Sequence, residues 1–121
     1  MEHLLQFVWK HKLFDLKPLQ TVSGETLEII DPGLPNAHAG PDFFNAKIKI
    51  NGMLWVGNVE IHRRASDWLR HQHQLDKNYD SVILHVAELI DCEITRSNGE
   101  IIPQLALQCP SHLQTQYGTL L

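Results

Sequence analysis

Three residues in the middle of the chain could hold a divalent metal ion beside a proton-transfer group. Asp42 follows the turn sequence Gly40-Pro41, and Glu60 comes eighteen residues later, two positions before His62. Mg²⁺ and Mn²⁺ prefer oxygen ligands and keep several waters, so Asp42 and Glu60 are the predicted ligands, with the backbone carbonyl of Ile61 as a third. Such an ion polarises a phosphoryl oxygen and lowers the pKa of a bound water. The pattern therefore indicates metal-assisted phosphodiester hydrolysis; the alternative is that Asp42 only caps the turn.

The predicted site depends on a β-hairpin. Residues 42–50 and 53–62 read as strands joined at Asn51-Gly52, a strong two-residue turn signal. Glu60 and His62 then share a strand face, so His62 could orient or deprotonate the attacking water. A regular hairpin, however, pairs Asp42 with Ile61 and points Glu60 to the other face. The site requires an offset of one residue, and Gly57 is the predicted position of the bulge that supplies it.

Further histidines and an aspartate lie close in sequence to this triplet. His73 and Asp76 would share a helix face, and His85 points away from the apolar face of its strand, so these three are candidates to support the metal ligands. His71 is predicted to be buried in a helix. In a helix His71 and His73 diverge by roughly 200° and cannot bind one ion, whereas in an extended segment they could. A histidine-rich zinc hydrolase is therefore a second, less favoured prediction.

Basic residues flank the candidate site and could bind substrate phosphates. Lys47 and Lys49 share one strand face, while Arg63 and Arg64 follow Glu60 closely. Arginine suits phosphate because its guanidinium forms paired hydrogen bonds. The alternative for each residue is a place on a solvated surface.

The remaining pattern predicts one α/β domain over residues 1–121, with a mixed β-sheet flanked by helices. Ser66 is the predicted N-cap of the helix Asp67–Asp76, which would bury Trp68 and Leu75. The return strand 53–62 is apolar on both faces, which is typical of a strand covered on both sides. The tail from Pro110 has little pattern. The other predicted elements are a helix at 3–11, a strand at 25–31, a loop at 31–41, a central strand at 81–87, and a hairpin formed by 92–96 and 101–108.

Composition restricts the partners. The chain has 121 residues, 43% of them hydrophobic, and a net charge of −4 with eight histidines counted as neutral. That charge balance argues against an extended basic surface for binding nucleic acid. It is compatible with a few basic residues around an acidic site. No stretch is long and apolar enough to span a membrane, and the N-terminus does not resemble a signal peptide. A cytoplasmic protein is expected.

Several motifs together resemble an uncharacterised bacterial family that is catalogued only as a domain of unknown function. The resemblance spans most of the chain, and members of that family are usually longer, so it implies that residues 1–121 are the N-terminal part of a longer protein. It implies no activity. The motifs are Gly40–Ala46, Gly57–His62, Ser66-Asp67-Trp68, His71, His73, Asp76, Tyr79-Asp80 and Val82–Val86.

Asp42 and the Glu60-x-His62 triplet also resemble the core signature of the PD-(D/E)XK nucleases. This resemblance implies a restriction-endonuclease-like core, with Asp42 and Glu60 as ligands of Mg²⁺ or Mn²⁺ and nucleic acid as substrate. His62 takes the position normally held by lysine, which implies adjusted chemistry or lost activity, because histidine is not a permanent cation near neutral pH. The rival from another class is a catalytically inactive binding or structural module of a larger protein.

Overall fold

The computed structural model describes residues 2–13 and 18–109, which form a mostly sheet-based α+β fold with few helices. The predicted patternless tail from Pro110 lies outside the described residues. No helix in the described ranges is long and apolar enough to cross a membrane. The elements, in chain order, are α1 (Glu2–Lys10), β1 (Leu19–Gln20), β2 (Thr26–Asp31), β3 (Leu34–Pro35), β4 (Phe43–Ile50), β5 (Met53–Arg64), α2 (Asp67–Arg70), the 3-10 turns His73–Leu75 and Lys77–Tyr79, β6 (Val82–Leu89) and β7 (Gln104–Ala106).

The strands form one mixed sheet in the order β1-β2-β4-β5-β6-β7, with β3 paired to β4. Pairing is antiparallel from β1 to β5, and parallel between β5 and β6 and between β6 and β7. Because a parallel pair needs a crossover connection, the segment between β5 and β6 passes over one face of the sheet. The predicted central position of β6 is confirmed, and its first six residues are all buried.

Helix α1 covers the opposite face, and the predicted helix at 3–11 is confirmed. Leu4, Leu5 and Val8 recur at helical spacing and are buried in one cluster with Val59 and Ile61 of β5. Strand side chains alternate between faces, so Glu60 and His62 point away from α1. They face the β5–β6 crossover.

The turn between β4 and β5 begins as a regular hairpin and then changes register. Pairing is uninterrupted from Ile50 and Met53 to Ala46 and Gly57, but Phe43 then pairs with Val59. The extra residue lies in β4, where Asn45 adopts a left-handed conformation (φ 58°) that asparagine tolerates well. The offset of one residue that the site requires is therefore present. The predicted position of the bulge, Gly57, is wrong, because the bulge lies at Asn45.

Gly57 has a different structural role, and Asn58 supports the bulge. A Cβ on Gly57 would clash with the Ile83 side chain and lie 2.9 Å from the Ser81 carbonyl oxygen, so glycine allows the close approach of β6. The Asn58 side-chain oxygen accepts a hydrogen bond from the Asn45 amide (3.2 Å), while its amide group donates to the Ser81 hydroxyl (2.8 Å).

The predicted helix Asp67–Asp76 is wrong beyond its first turn. Helix α2 has four residues, and Gln72 is left-handed (φ 60°), which ends the helix and turns the chain. Trp68 is buried as predicted, but Leu75 is 72% exposed. The Ser66 side chain makes no capping hydrogen bond.

Two further predictions about strands need correction. The return strand is not covered along its whole length, because Met53, Leu54, Trp55 and Val56 are all exposed beyond the ends of the packed elements. The predicted hairpin of 92–96 and 101–108 is reduced to its turn and one bridge between Thr95 and Ile101. Strand β7 pairs with β6 instead, because its buried residues complete the core on that side of the sheet.

Candidate metal centre

The bulge brings Asp42, the residue just before β4, next to Glu60, one position beyond the Phe43–Val59 pair. The Asp42 amide donates a hydrogen bond to Glu60 Oε1 (3.1 Å), and Asp42 Oδ2 accepts one from the Ile61 amide (2.8 Å). Each carboxyl group is thus held by the backbone of the opposite strand. Asp42 is half-buried, and Glu60 is only 5% exposed.

Burial makes it costly for both carboxyl groups to be ionised at the same time. Desolvation, with the charge of Glu60 as a second cause, raises the pKa of Asp42 to about 8. Desolvation also raises the pKa of Glu60 to about 7, although hydrogen bonds from Asp42 oppose the shift. Two carboxyl groups in this position hold protons near neutral pH unless a cation replaces them. Such a pair of carboxyl groups could hold a divalent metal ion.

A chain of buried side chains starts at His62 and ends at a backbone carbonyl. His62 Nδ1 lies 2.8 Å from His85 Nε2, and His85 Nδ1 lies 2.8 Å from Gln104 Oε1. The Gln104 amide group donates to the Cys92 carbonyl oxygen (2.9 Å). Since a carbonyl can only accept, the orientation of the Gln104 amide is fixed, with its oxygen towards His85.

This series of hydrogen bonds determines the tautomer of His62. His85 Nδ1 must donate to Gln104, so a neutral His85 has a bare Nε2, which accepts a hydrogen bond from the His62 Nδ1–H group. Both rings are neutral: desolvation lowers the pKa of His62 to about 2 and that of His85 to about 4. His62 Nε2 is therefore left with a free lone pair, 3.3 Å from Glu60 Oε2.

We expect this tautomer to be visible in solution. In long-range ¹H–¹⁵N spectra of the metal-free protein at neutral pH, His62 and His85 should both carry their proton on Nδ1. The exposed His11 serves as the reference in the same spectrum. A proton on His62 Nε2 would contradict the assignment.

His62, His71 and His73 form a histidine cluster, and two of its members contact Glu60. His73 Nε2 lies 3.0 Å from Glu60 Oε2, and its ring stacks on Tyr79 at a centroid distance of 3.7 Å. The potential ligand atoms of His62, His71 and His73 all lie within 4.8 Å of one another. The left-handed Gln72 makes this possible, because a continuous helix would separate His71 from His73. The predicted burial of His71 is wrong, since it is exposed.

The other predicted site residues lie at different distances from this centre. His85 contacts His62 directly, as described above. Asp76 caps the next turn by accepting a hydrogen bond from the Asn78 amide (2.9 Å). Lys47 and Lys49 are opposite Asp31 and Glu28 on β2. Lys47 is level with Val56, which is four residues from Glu60 along β5, or roughly 13 Å at the usual rise of a strand.

A basic cleft lies where β5 ends, next to the histidine cluster. It has a volume of about 490 Å³ and is lined by Arg63, Arg64, Ser66, Asp67 and Arg70. Arg70 is anchored by an ion pair with Asp67 (2.9 Å), and its positive charge helps to depress the pKa of His62. Arg63 and Arg64 are exposed.

Two residues that shape this centre, Gln104 and Asn45, were not predicted from the sequence. Gln104 is remote in sequence and has no motif, although its burial in a short β7 is what orients His85. Asn45 did carry a signal: Phe43 and Phe44 are adjacent apolar residues that break the strand alternation just before it. That break is typical of a bulge.

Comparisons with known proteins agree with the motifs. The family model described as "Protein of unknown function (DUF2851)" matches residues 2–121. No curated protein and no solved structure matches the chain. The match covers almost the whole sequence, including the aspartate, the glutamate and all four central histidines, and the chain belongs to the DUF2851 family.

Proposed function

We propose that this domain is a metal-dependent phosphodiesterase of the nuclease type, which acts on nucleic acid and uses Mg²⁺ or Mn²⁺. The observation that carries the proposal is the register change at Asn45, which places Asp42 beside Glu60. Two buried carboxyl groups with raised pKa values fit a divalent cation, which would polarise a phosphoryl oxygen and acidify a bound water.

The chain's own residues supply the rest of the chemistry. His62 Nε2 has a bare lone pair at neutral pH and orients the attacking water by accepting a hydrogen bond from it, since its pKa of about 2 is too low for it to take up the proton itself. His62 cannot provide the positive charge of a lysine, so that role falls to the arginines of the basic cleft, Arg63, Arg64 and Arg70. Their guanidinium groups bind the phosphates on either side of the scissile bond. Lys47 and Lys49, farther along the hairpin, bind more distant phosphates of a long substrate. When only the strands of six or more residues are counted, the order is α1, β2, β4, β5, α2 and β6, which is the order expected of a restriction-endonuclease-like core and supports the proposal; β1, β3 and β7 are additional short strands.

Titration of Mg²⁺ and Mn²⁺ into the 121-residue chain and its Asp42→Ala variant, followed by cleavage assays on single- and double-stranded DNA and RNA, tests the proposal. We expect the variant to lose cleavage by a factor of about 10³, since a metal contributes several kcal/mol to the transition state. Glu93→Ala, which removes an exposed carboxylate, is the control. Equal metal affinity in wild type and Asp42→Ala would overturn the proposal.

One observation favours a second candidate, a non-catalytic binding module of a larger protein. Four consecutive apolar residues, Met53 to Val56, are exposed at the far end of the β4–β5 hairpin. A contiguous exposed apolar patch is typical of an interaction surface. Under this candidate, wild type binds metal without cleaving any of the four nucleic acids.

A further inference from the structure

We propose a second cation site, formed by His62, His71 and His73 together with Glu60 Oε2, that takes a nitrogen-preferring divalent transition ion such as Zn²⁺ or Co²⁺. It lies on the histidine side of Glu60, whereas Asp42 lies on the side of Oε1. This site does not depend on the proposed function: with the ion bound, His62 Nε2 is a ligand and no longer accepts from the attacking water.

The spacing of the donor atoms is that of a coordination shell. His62 Nε2 and His73 Nε2 lie 3.3 Å and 3.0 Å from Glu60 Oε2. Ligands bound at about 2.0–2.1 Å are separated by roughly 3.3 Å in tetrahedral geometry and roughly 3.0 Å in octahedral geometry. His71 is within 4.8 Å of both other histidine donors, and it is exposed, so its side chain can close the remaining gap by a rotamer change.

A buried nitrogen without a hydrogen-bond partner is independent evidence for a ligand. His73 is 7% exposed, and its Nε2, although 3.0 Å from Glu60 Oε2, makes no hydrogen bond to any described residue. A buried polar atom without a partner destabilises the fold unless a ligand satisfies it. Tyr79 stacks on the ring and Trp68 meets its edge, so the nitrogen is held in this direction.

The second histidine is also prepared to coordinate. The hydrogen-bond chain through His85 and Gln104 puts the His62 proton on Nδ1 and leaves Nε2 bare. Metal-binding histidines commonly donate their other ring nitrogen to a supporting partner in this way. Here His85 is that partner, and Gln104 fixes the orientation of His85.

The donor set selects the class of ion. Three imidazole nitrogens and one carboxylate oxygen suit Zn²⁺ and its neighbours in the transition series, while Mg²⁺ requires oxygen ligands and retains water. We therefore expect millimolar Mg²⁺ not to displace the ion from this site. Glu60 is the ligand shared with the Asp42 side.

Calorimetric titration of Zn²⁺ and Co²⁺ into metal-free protein, with the absorption spectrum of bound Co²⁺ as a second readout, tests the site. We expect one ion to bind with a nitrogen-rich Co²⁺ spectrum. His71→Ala, at an exposed position that the fold tolerates, should weaken binding at least tenfold, whereas His11→Ala should not. Asp42→Asn should retain this ion even where it abolishes cleavage, which separates this proposal from the preceding one.

Two results would overturn the second site. One is equal Zn²⁺ affinity in wild type and His71→Ala, with the same outcome in His73→Asn. The other is Co²⁺ bound with the spectrum of an all-oxygen site. In each variant, an unchanged circular dichroism spectrum and melting temperature would show that a loss of binding comes from the missing side chain and not from unfolding.

Discussion

Glu60→Gln is expected to abolish both metal binding at the Asp42 side and the proposed cleavage, with a loss of at least about 10³-fold in rate, or about 4 kcal/mol. Glu60 joins the two sides of the centre: its Oε1 accepts from the Asp42 amide, and its Oε2 faces His62 and His73. The substitution keeps the shape and the hydrogen bond from Asp42 but removes the negative charge. Zn²⁺ affinity at the histidines should fall as well.

The fold should survive this change. The pKa of Glu60 is raised to about 7, so its contribution to stability is full below the pKa of the unfolded chain and is lost as pH rises through 7. The metal-free variant should therefore be at least as stable as wild type above pH 7. Isothermal titration, steady-state cleavage and thermal melts measure these effects. Glu28→Gln, an exposed carboxylate opposite Lys49, is the matched control. Undiminished cleavage by Glu60→Gln would refute the assignment.

Metal affinity is expected to fall steeply as the solution becomes more acidic. With pKa values of about 8 for Asp42 and about 7 for Glu60, both carboxyl groups hold protons at pH 6 and the ion must displace them. Each proton weakens the apparent affinity tenfold per pH unit below the pKa of its own carboxyl group and has almost no effect above it, so Mn²⁺ should bind roughly 500-fold more weakly at pH 6 than at pH 8. The buried histidines add no protons to this count, because burial lowers the pKa values of His62, His73 and His85.

Calorimetry in two buffers with different ionisation enthalpies measures the protons released. About two per Mn²⁺ are expected at pH 6, and fewer than one at pH 8.5. Asp42→Asn provides the internal comparison, since residual binding in that variant should release one proton fewer. An affinity that stays constant between pH 6 and pH 8 would show that the pKa values of the two carboxyl groups are not raised, and it would contradict this prediction.

The helix α1, the hairpin turn and the central strands could all be predicted from sequence, because each depends on residues close together in the chain. Leu4, Leu5 and Val8 recur at helical spacing, and Asn51-Gly52 suits the left-handed conformations (φ 50° and 80°) of its turn. The requirement for an offset register also followed from counting residues across that turn. The position of the bulge did not, because Gly57 and Asn45 are both permissive and the choice rests on packing against Ile83 and Ser81.

The crossover between β5 and β6 is where local reasoning failed. The predicted helix of ten residues is replaced by one turn of α-helix and two 3-10 turns, with Leu75 exposed. A left-handed Gln72 is unfavourable on its own and is stabilised by the contacts of His73 with Tyr79 and Trp68. Helical spacing assigned His71 to the core, whereas the broken helix leaves it exposed beside His62.

By itself, the sequence determined the family, the sheet-based fold and the pair of carboxylates, because motif spacing and period-two alternation are properties of neighbouring residues. Only the tertiary structure decided which histidines gather around Glu60 and which nitrogen of His62 is bare. The tautomer of His62 depends on Gln104 in β7, forty-two residues away in the sequence, and the histidine cluster depends on the left-handed Gln72. Hydrogen bonds between distant segments produce no periodic pattern in the sequence, so they could not be predicted from it.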